Sequence, residues 1–170
     1  MKFLISGPPA SGKSTLVIKL IEFLKDKGIK VGGIISPEVR EKRIRIGFKV
    51  VDLLNLKEKI FASIHYNTNY KVGKYFVDIN IFEEIAIPAL EAAEKECKVI
   101  VIDEIGKMEL FSKKFEEKIR EILSSDKIVI AVIHRNYLNE YKKYGKVIWL
   151  EREKWNDIYN SMLAELQKII

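Results

Sequence analysis

Residues 7–14 run Gly7-Pro8-Pro9-Ala10-Ser11-Gly12-Lys13-Ser14. A glycine, four variable residues and Gly-Lys-Ser form a phosphate-binding loop, and this string fixes the local fold on both sides of itself. Gly7 and Gly12 permit backbone angles that turn successive N–H groups inward toward phosphate oxygens. Lys13 reaches the β- and γ-phosphates as a point charge, and Ser14 offers a hydroxyl to Mg²⁺. The flanks supply the context the loop requires. Lys2 to Ser6 is a short apolar strand; Lys13 onward is helical, with Leu16, Leu20, Phe23 and Leu24 on one face and Gly28 as its stop. Strand, glycine loop and helix together point to a nucleoside triphosphate as ligand, the helix N-terminus adding its dipole to the anion site.

The rest of the chain alternates apolar strands with amphipathic helices, the pattern of an α/β sheet protein. Strands are predicted at 29–36, 98–103, 127–133 and 147–150, with a further short one at 72–77. Residues 44–54 and 58–65 predict an antiparallel hairpin inserted between parallel units. Helices are predicted at 79–96, 112–125 and 155–169. Pro88 is expected to kink or divide the first of these, and Ser112 caps the second. No repeat or linker breaks the pattern, so residues 1–170 are expected to form one domain.

Lys98-Val99-Ile100-Val101-Ile102-Asp103-Glu104 is an apolar strand ending in two acids, the Walker B pattern. A buried parallel strand delivers its last residues to the carboxyl edge of the sheet, where ligands bind in open α/β folds. Asp103 is expected to hold Mg²⁺ opposite Ser14, and Glu104 to orient and deprotonate an attacking water. A third apolar strand, Ile128 to Ile133, ends in His134-Arg135-Asn136. His134 is a candidate sensor of the γ-phosphate, and Arg135 a candidate arginine finger in cis. Arg40, in the basic stretch Arg40 to Arg45, is a second candidate for neutralising phosphate charge.

Composition narrows the class. The chain is 48% hydrophobic and 32% charged, as an ordinary globular domain is. Its net charge is +6, but Lys and Glu are interspersed, so nucleic acid is not the expected partner. The single cysteine, Cys97, cannot form an internal disulfide, which suits a reducing compartment. No apolar run reaches membrane-spanning length and the chain opens on a strand, so no membrane or signal segment is expected and the cytoplasm is the expected location. Nothing in the sequence sets the oligomeric state; a monomer is the default expectation.

With both phosphate-site elements placed, the segment Asp103-Glu104-Ile105-Gly106-Lys107-Met108-Glu109-Leu110 resembles the signature of the cancer-related nucleoside-triphosphatase family. Glu38-Val39-Arg40, Arg45-Ile46-Gly47-Phe48, Val72-Gly73-Lys74-Tyr75, Ile87-Pro88-Ala89-Leu90 and His134-Arg135 are similar to that family as well. The resemblance implies a P-loop NTPase: a RecA-like, mostly parallel sheet flanked by helices, with an inserted antiparallel hairpin. It implies Mg²⁺-dependent hydrolysis of ATP, GTP and other nucleoside triphosphates. It places nucleotide contacts on Gly7, Pro8, Pro9, Ala10, Ser11, Gly12, Lys13, Ser14 and Thr15, and on Lys98, Val99, Ile100, Val101, Ile102, Asp103, Glu104 and Ile105.

Other readings share the loop. A kinase for a nucleotide or small metabolite would replace water by an acceptor hydroxyl, though no Arg cluster lies beyond Arg45 to build a lid. A GTP-dependent switch would fit Asp103-Glu104-Ile105-Gly106 to its D-x-x-G element, but no N-K-x-D or T-K-x-D string is present to read guanine. A nucleic-acid-stimulated ATPase would need extra domains.

Overall fold

The computed structural model describes all residues, 1–170. In chain order the elements are β1 (Lys2–Ser6), α1 (Lys13–Asp26), β2 (Val31–Ile35), β3 (Glu38–Glu41), β4 (Ile44–Asp52), β5 (Glu58–Ser63), β6 (Lys71–Val72), β7 (Tyr75–Val77) and α2 (Ile79–Glu96). They continue with β8 (Val99–Ile105), α3 (Lys113–Leu123), β9 (Ile128–Ile133), α4 (Leu138–Tyr141), β10 (Lys146–Trp149) and α5 (Trp155–Ile169). All strands join one sheet in the order β10-β1-β9-β8-β2-β4-β5-β7-β6, with β3 on β4. From β10 to β2 every pairing is parallel; from β2 onward every pairing is antiparallel.

The parallel half is the expected RecA-like core. β9 lies between β1, which leads into the glycine loop, and β8, which carries the paired acids. Its strands are apolar throughout because both faces are covered. Successive residues of β8 point to opposite sides: Val99 and Val101 toward α1 and α5, Ile100 and Ile102 toward α2 and α3. Leu16, Val17, Leu20, Ile21 and Leu24 form the buried stripe of α1, and Phe115, Ile119 and Ile122 that of α3. Both N-caps on the second face are side chains: Asp78 accepts from the Ile81 N–H at 3.0 Å and Ser112 from the Phe115 N–H at 3.1 Å.

The antiparallel half is larger than the one hairpin the sequence predicts. The β4–β5 hairpin is present, but β3 folds back on β4 through a turn at Lys42 and Arg43, both with positive φ. Exposed polar strands like Glu38–Glu41 give no apolar alternation, which is why β3 is not legible in the sequence. The short strand predicted at 72–77 is two strands around a turn at Gly73. Pro88 does not divide α2, which runs unbroken through it. Pro88 and Glu84, the residue whose carbonyl loses its N–H partner, both lie on the exposed face, where that oxygen is open to solvent and need not be paired within the protein. No helix is long and apolar enough to cross a membrane.

Candidate active site

The carboxyl ends of β1, β2, β8 and β9 converge on one cleft of about 640 Å³. Lys13, Ser14, Asp103, Glu104 and His134 all line it. Residues far apart in sequence thus meet because parallel strands share a direction and deliver their ends to the same edge.

The glycine loop is held from behind. Gly12 has φ +93° and its carbonyl accepts twice, from the Leu16 N–H at 2.9 Å and the Trp155 Nε1–H at 3.0 Å. A Cβ at Gly12 would stand 2.8 Å from the Trp155 ring, so this position excludes any larger residue on space as well as on φ. Trp155 in turn stacks on Tyr159 with ring centroids 5.2 Å apart. Gly7 is similarly confined: a Cβ there would lie 2.4 Å from the Leu150 carbonyl oxygen. Because α1 starts at Lys13, the N–H groups of Lys13, Ser14 and Thr15 have no partner within the helix. Lys13 Nζ donates to the Gly7 and Pro8 carbonyls at 2.9 and 2.8 Å. Burial lowers its pKa, and the Glu104 and Asp103 charges oppose that shift. Pro9 and Ala10 form the exposed outer turn; Ser11 is buried beneath it.

At the opposite side of the cleft β8 bulges between Asp103 and Ile105, so that Glu104 has no partner in β9. The bulge lets both adjacent acids face the cleft, where a regular strand would send alternate residues to opposite faces. Burial pushes Asp103 up to about 7, helped by Glu104, while the Ser14 hydroxyl and Lys13 pull the other way. Burial also raises Glu104, opposed by His134 and Lys13.

The residues expected to contact nucleotide differ in where they lie. Val99, Ile100, Val101, Ile102 and Ile105 are fully buried in the two cores, and none lines the cleft. Lys98 sits before the strand's amino end, roughly 16 Å of strand from Asp103, with its Nζ on the Ile170 carbonyl. These six residues position the acids; of residues 98–105, Asp103 and Glu104 line the cleft. Arg40 is bound to Glu38 at 2.8 Å and to the Arg43 carbonyl, on the hairpin rim. Arg135 is exposed in a 3₁₀ turn after β9, near enough to Lys13 to depress its pKa, and forms no ion pair. His134 Nδ1 accepts from the Asn136 N–H at 3.1 Å.

The sequence reading missed three participants. Glu109 is buried at 4% exposure, lines the cleft, and has its pKa pushed well up by burial and by Glu104. Its signals were its place in the Asp103–Leu110 signature and an acid inside the apolar run Met108–Phe111, neither of which gave it a role. Trp155 had none, because its role depends on α5 returning to the loop. The far wall of the cleft (Pro37, Phe48, Val72 and Tyr137) comes from segments that look like ordinary hairpin and loop.

Comparison with known proteins bears on this geometry. The model of the family described as NTPase matches residues 2–163. A nucleoside-triphosphatase THEP1 of Korarchaeum cryptofilum is 43% identical, the match covering 99% of this chain and 88% of the relative. That of Methanocaldococcus jannaschii is 40% identical over 98% of this chain and 100% of its own. Among solved structures, THEP1 from the hyperthermophile Aquifex aeolicus superposes with a TM-score of 0.84 at 38% identity, covering 98% of this chain and 99% of that one. A human cancer-related nucleoside triphosphatase superposes with a TM-score of 0.81 at 32% identity, covering 98% and 97%.

Proposed function

We propose, from the premise that the chain belongs to the NTPase family and is a nucleoside-triphosphatase, that it hydrolyses ATP, GTP and other nucleoside triphosphates with little discrimination among bases and requires Mg²⁺. The observation that carries this reading is the meeting of Lys13 and Ser14 with Asp103 and Glu104 in one cleft.

The loop amides and the Lys13 ammonium bind the β- and γ-phosphates; phosphate oxygens take the place of the Gly7 and Pro8 carbonyls as acceptors for Nζ. The donor set fits a hard cation: a hydroxyl and a carboxylate stand side by side, both oxygen ligands, with the carboxyl groups of Glu104 and Glu109 in the same cleft. Magnesium held by Ser14 and Asp103 would neutralise charge on the β- and γ-oxygens. Glu104 accepts the proton of the attacking water and aligns it with the γ-phosphorus. Arg135 swings onto the departing phosphoryl group, a role that its lack of an ion-pair partner and its nearness to Lys13 support. No guanine-reading N-K-x-D string occurs, which supports broad base use.

Phosphate release from ATP, GTP, CTP and UTP, with Mg²⁺ and with EDTA, tests the proposal. The four kcat/KM values should agree within about tenfold, a spread of about 1.4 kcal/mol, and EDTA should abolish turnover. Strict preference for one base, or undiminished release in EDTA, contradicts it.

A further inference from the structure

The cleft extends beyond the residues that hydrolysis uses. Its volume of about 640 Å³, which also takes the γ-phosphate, the metal and the attacking water, falls among sites that seat small organic ligands, about 300–1,000 Å³. The nucleoside does not account for this space. A triphosphate on the loop presents its γ-phosphate to Lys13 and the paired acids, so its nucleoside leaves in the other direction. Consistently, neither Thr15 nor any residue of the Leu150–Trp155 connection behind the loop lines the cleft. The lining runs from Lys13 and Ser14 past Asp103, Glu104 and Glu109 to Pro37, Phe48 and Val72 of the antiparallel half, on the far side of the paired acids from the loop.

Its chemistry selects an occupant. The far wall is Pro37, Phe48, Val72, Met108 and Tyr137, and the Ser36 Oγ at its edge is buried with no hydrogen-bond partner. Four carboxyl groups line it (Glu38, Asp103, Glu104, Glu109) against Lys13 and Lys107. Arg40 and Arg45 pair with Glu38 at 2.8 and 3.1 Å, and Arg45 lies over the Phe48 ring at 5.4 Å; Lys13 and its neighbour Arg135 are committed to the γ-phosphate in the hydrolytic reading, which leaves Lys107 as the free cation of the lining against Asp103, Glu104 and Glu109. An anionic acceptor would meet surplus negative charge; an uncharged one with an apolar or aromatic body would not.

We propose that this protein is also a phosphotransferase, whose cleft seats an uncharged, hydroxyl-bearing molecule of nucleoside size as phosphoryl acceptor. The proposal rests on the hydrolytic reading of the same loop and acids. The acceptor oxygen bonds to the γ-phosphorus, and the bond from that phosphorus to the β–γ bridging oxygen breaks, its electron pair leaving with the nucleoside diphosphate. The hydroxyl proton passes to the Glu104 carboxylate. The products are a nucleoside diphosphate and a phosphate monoester; water takes the acceptor's role when the cleft holds none.

The test incubates the protein with ATP and Mg²⁺, alone or with adenosine, guanosine, cytidine, uridine or thymidine, and resolves the products by ³¹P NMR. At least one nucleoside should yield a phosphate monoester and raise ADP formation at least ~10-fold over the nucleoside-free rate. Phe48→Ala, which removes the aromatic wall, and Val72→Trp, which fills the cleft, should each lower the ratio of monoester to inorganic phosphate about tenfold, with circular dichroism melts verifying the fold. Inorganic phosphate as the sole product in every tube overturns the acceptor site and leaves the hydrolase standing. No ADP in any tube removes the hydrolytic reading too. Monoester at an unchanged ratio in both variants overturns this cleft as the acceptor's seat.

Discussion

Asp103 occupies a place where an ordinary aspartate would not stay ionised. Its pKa is raised from 3.8 to about 7 by burial and by Glu104. A raised acid pKa stabilises the fold at low pH, and that contribution is lost as pH climbs through the window from about 4 to about 7, where the unfolded chain has given up the proton and the folded one retains it. That rise corresponds to something on the order of 4 kcal/mol. Melting temperatures in EDTA should therefore fall between pH 5 and pH 8, and fall less in Asp103→Asn; equal slopes in both would refute the assignment. Glu104 makes a separate prediction. Glu104→Gln keeps shape and hydrogen-bonding reach but accepts no proton, so it should bind ATP as the wild type does while turnover drops at least ~100-fold. Isothermal titration with single-turnover phosphate release measures both; near-normal turnover would take Glu104 out of the mechanism.

At the scale of elements, the loop's shape depends on α5, which the chain reaches last. Trp155 donates to the Gly12 carbonyl and closes over the spot where a Cβ would stand. Trp155→Phe removes that donor and leaves the carbonyl with one partner, a loss of about 1 kcal/mol. The expected result is a severalfold higher KM for ATP with kcat nearly kept; a lowered kcat at constant KM would assign Trp155 to chemistry instead. Pro88 offers a stability test remote from the site. Pro88→Ala restores a helix hydrogen bond on the exposed face of α2 and should stabilise the fold by about 1–2 kcal/mol, the helix gain being offset by greater freedom of the unfolded chain. Urea unfolding reads this directly, and a lower midpoint would show that the chain needs proline there. Elements with strong periodicity were legible: α1, α3, β8 and β9 follow from apolar spacing alone, and the glycine loop with its paired acids follows from motif chemistry. β3 and β6 were not, because short polar strands owe their existence to partners across the sheet. Trp155 was not, because a role set by tertiary return leaves no local mark, and the role of Glu109 was not, because only its burial in the cleft distinguishes it from a surface acid.

For the whole molecule, the sheet divides into a parallel half with two covered faces and an antiparallel half that forms one side of the cleft. Amides of β1, β8 and β9 sit between two buried cores, whereas β6 and β7 lie at the sheet's end. Hydrogen exchange should be slowest in the former and fastest in the latter, by factors reflecting local opening; uniform protection would contradict this division. The parallel half also explains how one cleft is built from such distant parts of the chain, since shared strand direction brings the loop after β1 and the acids of β8 to one edge. That convergence is most directly tested by a crystal structure with Mg²⁺ and a non-hydrolysable ATP analogue. The account predicts phosphates on the amides of residues 7–15, the metal about 2.1 Å from Ser14 Oγ, and Asp103 and Glu104 facing the metal and the γ-phosphate. A nucleotide bound away from this loop, or a metal that neither Ser14 nor Asp103 approaches, would contradict it.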